Sequence, residues 1–141
     1  NGKEAGSVNT TIANNPSAYF MYVKGVLQYE NKDYEGALVT LQGIVDKNDG
    51  FVAEAYSKMG DCYFFPGQEI EEANSKLAMD DPKYAEGEAK IKELYGKAQP
   101  YYEKAKEIAP DNKPLWGQFL LRIYWKLNKA EYEALEKELG Y

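Results

Sequence analysis

Apolar positions recur at helical spacing through most of the chain, and nowhere do they alternate as in a half-buried strand. From Ala18 to Gln28, Tyr19, Tyr22, Val23 and Val26 share one helical stripe, and Phe20, Met21 and Leu27 widen it into an arc suited to packing on two sides. Asn15-Pro16 marks the start of this helix, with Asn as the cap and Pro at the first helical position. Asn31-Lys32-Asp33 interrupts the pattern, and Asp33 can cap a second helix carrying Tyr34, Ala37, Leu38, Leu41, Ile44 and Val45. Residues 46–50 end it, with Gly50 available for a left-handed turn. A third helix is predicted over residues 51–65, with Val52, Ala55, Tyr56, Met59 and Tyr63 on one stripe, and Pro66-Gly67 is expected to disturb it. The spacing resumes with Ile70, Ala73 and Leu77, stops at Asp80-Asp81 and restarts at Pro82, with Asp81 as cap. From Tyr84 through Ile91, Leu94, Tyr95, Ala98, Tyr101, Tyr102, Ala105 and Ile108 it reads as one long helix that Pro100 should bend and Pro110 ends. Pro114 opens a further helix with Leu115, Trp116, Phe119, Leu120, Ile123, Tyr124 and Leu127. After Asn128-Lys129 a last helix over 130–139 carries Tyr132, Leu135 and Leu139. Residues 1–15 sustain no period and read as an irregular segment. The fold class is therefore all-α.

Composition narrows the chemistry. The 141 residues are enough for one domain with a real core. Ala, Glu, Lys and Leu dominate, while Ser and Thr together number seven. Thirteen tyrosines stand out, as in helices packed by large rings whose hydroxyls reach the surface. No histidine is present, which removes the commonest acid-base catalyst and metal ligand. A single cysteine, Cys62, forms neither an intrachain disulfide nor a Cys-rich zinc site. Net charge is −6 and Arg122 is the one arginine, which argues against a nucleic-acid partner. The longest apolar run, Ala18–Val23, is six residues against the roughly 20 of a membrane span. The first residue is Asn1 and not Met, as expected of a processed product or a fragment.

The pattern also repeats. Gly25 and Gly60 are 35 residues apart, as are Met21 and Tyr56, whereas Tyr56 and Trp116 are 60 apart. Ala37 and Ala98, at like places in second helices, are 61 apart. One insertion of about 25 residues in the second of three units explains both departures. The middle unit, with Tyr56, Met59-Gly60 and Tyr63 and then Ala98, Tyr102, Ala105 and Pro110, resembles the tetratricopeptide repeat family. The first unit matches through Gly25, Tyr34, Ala37, Leu41 and Ile44 but has Gln28 where Tyr is usual. The third matches through Trp116, Phe119-Leu120 and Ile123 and departs at Tyr132, where a small residue is expected. The resemblance spans roughly residues 17–140. It implies a right-handed α-solenoid of about three helix pairs: one at about 17–50, one at about 51–112 with an insertion at 66–95, and one at about 113–140. The insertion is expected to lengthen both middle helices into a projecting antiparallel hairpin. The layout is similar to a bacterial subgroup of the family often found in exported proteins.

Motifs for other chemistry do not assemble. The run Asp46–Gly50 hints at a calcium loop but has Phe51 and Ser57 where that loop needs Gly and Glu. Glu69, Glu71, Glu72, Glu86 and Glu88 read as a solvated helical face, and Cys62 as a small buried hydrophobe. Asn9-Thr10-Thr11 fits the glycosylation tripeptide, a pattern common by chance. No nucleophile elbow, phosphate loop or metal cluster is present, so neither an enzyme nor a cofactor is expected. The resemblance places a concave groove on the first helix of each pair. Mapped by position, that groove is Tyr19, Tyr22, Val26 and Tyr29, then Glu54, Ser57, Asp61 and Phe64, then Gly117, Leu121, Tyr124 and Trp125. The alternative is that several of these pack against neighbouring helices. Carboxylate clamps of the family rely on Lys and Asn, and Tyr22 and Val26 stand at those positions, so an apolar or aromatic partner segment with a basic centre is expected. The expected function is a noncatalytic protein-interaction module holding a peptide or helix, without nucleic acid or a membrane span. The alternatives are a structural piece of a longer array or a self-associating homo-oligomer, and more distantly an enzyme using carboxylates.

Overall fold

A computed structural model describes residues 16–141. The irregular segment read at 1–15, the Asn15 cap and the Asn9-Thr10-Thr11 tripeptide lie outside the described residues. Six α-helices follow in order, and no strand occurs among the described residues: α1 (Pro16–Glu30), α2 (Tyr34–Lys47), α3 (Val52–Asn74), α4 (Pro82–Ile108), α5 (Gly117–Lys126) and α6 (Tyr132–Glu138), with a 3-10 turn at Lys113–Leu115 before α5. Each helix packs chiefly on its neighbours in sequence, and the tightest pairing joins α3 to α4.

Local chemistry sets the boundaries. Asp33 caps α2 by accepting from the Gly36 amide at 3.1 Å, and Asn48 in the left-handed region closes it on the Ile44 carbonyl. Phe51 holds a positive φ of 61°, a strained place for a ring residue, and is kept there by burial against Tyr22 (5.5 Å, stacked) and Tyr19 (6.1 Å). Asp81 caps α4 by accepting from Lys83 at 2.9 Å, with Pro82 at the first turn as expected. The expected break at Pro66-Gly67 does not occur: α3 runs through it for 23 residues. The lost hydrogen bond is offset by packing on α4, where Gly67 lies so close to Tyr95 that an added Cβ would sit 2.8 Å from the ring. Pro100 likewise lies inside an unbroken 27-residue α4. The last pair is shorter than the spacing implies. Residues 113–115 are a 3-10 turn, so α5 begins at Gly117, and α6 spans only seven residues.

The repeat offsets acquire a physical meaning. A Cβ on Gly25 would meet Leu41 at 2.7 Å, and one on Gly60 would meet the Tyr102 ring at 2.7 Å. Leu41 and Tyr102 each lie one turn beyond a fully buried alanine, Ala37 or Ala98. The glycine therefore accommodates the large residue one turn past the alanine rather than the alanine itself, and helices cross closely at both places. The third pair has Leu120 at the matching position, fully buried. Two apolar clusters result, one around Leu41, Ile44, Phe51 and Met59, the other around Tyr95, Tyr102, Trp116 and Ile123, and Tyr56 packs against both.

Candidate functional site

The twelve positions read as a groove separate into two classes. Tyr19, Tyr22, Val26 and Tyr29 on α1 are half-buried, as are Glu54 on α3 and Leu121 on α5, and Trp125 is 52% exposed. Ser57, Asp61 and Phe64 on α3 and Gly117 and Tyr124 on α5 are buried. Their burial has identifiable causes. The Ser57 hydroxyl donates to the Leu115 carbonyl at 2.6 Å, tying α3 to the turn before α5. Phe64 stacks on Tyr95 at 5.0 Å and meets Phe119 edge-on at 5.3 Å. The Tyr124 hydroxyl donates to Glu103 at 2.7 Å, fastening α5 to α4. Those three side chains serve the core.

On α3 the half-buried line is instead Glu54, Lys58 and Phe65, rotated one residue from the spacing used above. Lys58 was not anticipated. Its ammonium lies 3.1 Å from Asp61 and 4.7 Å from the centre of the Tyr29 ring. The available signal was an unaccompanied lysine on α3 with an acid three residues on. Asp61 also accepts from the Tyr102 hydroxyl at 2.6 Å. Burial pushes the Asp61 carboxyl above the usual range, while the Tyr102 and Lys58 contacts oppose that rise. Burial, reinforced by Glu54 and Asp61, pushes the Tyr22 phenol up to about 12. The acidic centre expected at Asp61 is thus compensated within the protein by Lys58.

Around α5, residues 66–95 contribute to the candidate site. Glu71 and Glu88, read as solvated, are held by α5. Arg122 pairs with Glu71, and Lys126 lies 2.7 Å from Glu88. Tyr95 also donates to Glu71, at 3.0 Å. At the hairpin end, buried Asn74 donates to the Tyr84 carbonyl at 3.0 Å, and Gly87 leaves room for it. The hydrogen bond from Lys126 holds Glu88 below its ordinary range against the opposing effect of burial. Glu69 pairs with Lys32 at 3.7 Å, both exposed.

Trp125 is the most exposed aromatic among the predicted groove residues, and the Arg122 guanidinium lies 4.6 Å over its ring. Burial pushes the Cys62 thiol up to about 12, with Asp61 adding to the effect, which suits a packing residue and not a nucleophile. Among the described residues no group of three or more His, Cys, Asp or Glu is placed to hold a metal ion, and no helix is long and apolar enough to cross a membrane. The chain matches no protein-family model, no curated protein and no solved structure.

Proposed function

We propose that this chain is a tetratricopeptide-like α-solenoid of three helix pairs acting as a noncatalytic protein-interaction module. Its partner segment, a peptide or helix, lies along the first helices of the pairs, across Tyr22, Val26 and Tyr29, then Glu54, Lys58 and Phe65, then Leu121 and Trp125. The observation that carries this reading is the half-exposed aromatic series on α1, α3 and α5, ending in Trp125 at 52% exposure. Aromatic anchors of this kind carry most of the energy of protein interfaces. The neighbour-to-neighbour packing and the Gly25–Leu41 and Gly60–Tyr102 crossings support the repeat assignment. Capture of a protein from native extract by the intact chain, and its loss from a folded Tyr22→Ala, Trp125→Ala double variant, is the expected result. Full retention by that variant sinks the groove. A second reading, end-to-end association of a longer array or of copies, is favoured by Phe20 and Leu27, 67% and 53% exposed on α1. A mass that rises with concentration supports it, and a constant monomer mass excludes it.

A further inference from the structure

The middle unit is longer than its neighbours by about 25 residues, which extend α3 and open α4. They also reach α5. Glu71 and Tyr95 both belong to the added segment at 66–95, and both converge on one point. There the Glu71 carboxylate, with a side chain only 15% exposed, takes the Tyr95 hydroxyl on one oxygen and the Arg122 guanidinium on the other. The same guanidinium lies over the ring of Trp125. An arginine on a helix surface has many rotamers, and fixing it costs entropy that a weak ring contact alone does not return. A half-buried carboxylate that is itself oriented by a tyrosine supplies the missing constraint.

Two clefts border Trp125. Arg122 lines one of the clefts beside Trp125, together with Leu121 and Gln118. The other cleft, about 360 Å³ in volume, shares Trp125 and Tyr132 with the first, is completed by Tyr124, Asn128, Lys129, Ala130 and Glu133, and does not include Arg122. We propose that Glu71 and Arg122 are positioning residues for Trp125. The insertion holds the guanidinium against the indole, and a flat apolar or aromatic side chain of the partner segment meets the ring from the cleft that Arg122 does not line. A cation on one face of an indole lowers the attraction of the other face for a second cation, so at this end the partner residue is neutral. The inference rests on the reading of Trp125 as part of the binding surface, and it assigns the extra residues of the middle unit a role in that surface.

The test needs no partner. Trp116 is buried to 1% exposure, so acrylamide quenching of the intact chain reports chiefly on Trp125. Glu71→Gln keeps an acceptor for Tyr95 and removes the charge that holds Arg122. It is expected to raise the quenching constant toward that of Arg122→Ala, an increase of roughly twofold as the ring surface under Arg122 becomes accessible. Should Glu71→Gln fail to fold, Glu71→Asp keeps the charge, falls short of Arg122 and carries the same expectation. A rise in Arg122→Ala with wild-type quenching in the Glu71 variant overturns the positioning role, and so does wild-type quenching in both. Arg122→Lys, which keeps charge without the planar fork, is expected to quench like Arg122→Ala. Because the readout is the indole itself, these outcomes stand whether or not the groove variant loses its partner.

Discussion

The positions expected to line a groove on α3 and on α5 differ in how far their neighbours cover them. On α3, Glu54 is half-buried and Ser57, Asp61 and Phe64 are buried; on α5, Gly117 and Tyr124 are buried, Leu121 is half-buried and Trp125, toward the far end, is half-exposed. Second-helix length accounts for the difference. α3 is accompanied by the 27-residue α4, whose Tyr95 and Tyr102 reach Phe64 and Asp61. α5 is accompanied by the seven-residue α6, which leaves the far end of α5 open beside Trp125. On these two helices a position is thus left exposed where the accompanying helix is too short to cover it. Phe64→Ala removes a ring held by four aromatic neighbours and should cost about 3–5 kcal/mol of stability, measured by denaturant unfolding. Trp125→Ala at the open end should cost less than about 1 kcal/mol. Equal losses would remove the distinction between the two regions.

Two glycines sharpen the same contrast at smaller amplitude. Gly60 has the Tyr102 ring 2.7 Å from where a Cβ would stand, and that ring is pinned by burial and by its bond to Asp61. Gly60→Ala should therefore destabilise by about 1–3 kcal/mol, through a forced separation of α3 and α4. Gly96 lies in α4 with nothing within 4 Å of a Cβ. There the only change is helix propensity, and Gly96→Ala should stabilise by about 0.5–1 kcal/mol. Thermal unfolding of the two variants beside wild type decides the matter, and a shift of the same sign in both would be evidence against a close α3–α4 crossing.

These contrasts explain which features were legible in the sequence. Helix existence was readable because the 3.6-residue period is carried by packed residues such as Leu41, Ile91 and Ile123, all essentially inaccessible. The Asp33 and Asp81 caps were readable because a cap is a local device. Pro66 was misread because its cost is local while its compensation, the long contact of α3 with α4, is not. On α3 the half-buried line is offset by one residue from the positions the repeat implies, because position in a repeat gives a helix face only to within a turn. Whether Ser57 or Lys58 meets solvent is decided by Leu115 and Asp61, which lie elsewhere. Glu71 and Glu88 looked like solubilising charge because Arg122 and Lys126, their partners, are distant in sequence.

The smallest expected effect separates two carboxylates by the sign of their pH dependence. Burial raises the Asp61 carboxyl above its ordinary 3.8, so the folded chain holds that proton more tightly than the unfolded chain. Its contribution to stability is then fully present below 3.8 and declines as pH rises through the raised value. Glu88 is the reverse case. The Lys126 hydrogen bond lowers its carboxyl below 4.5, so its contribution is present above 4.5 and is lost as pH falls through the lowered value. Differences against Asp61→Asn and Glu88→Gln isolate each group from the other acids. On raising pH from acid toward neutrality, wild type should lose stability relative to Asp61→Asn and gain it relative to Glu88→Gln. The second difference should shrink with added salt, because Glu88 and Lys126 are partly exposed, and the first should not, because Asp61 is buried. Slopes of one sign in both series would mean that Asp61 is governed by Lys58 rather than by burial, and the inner face of the middle pair would then carry a working charge after all.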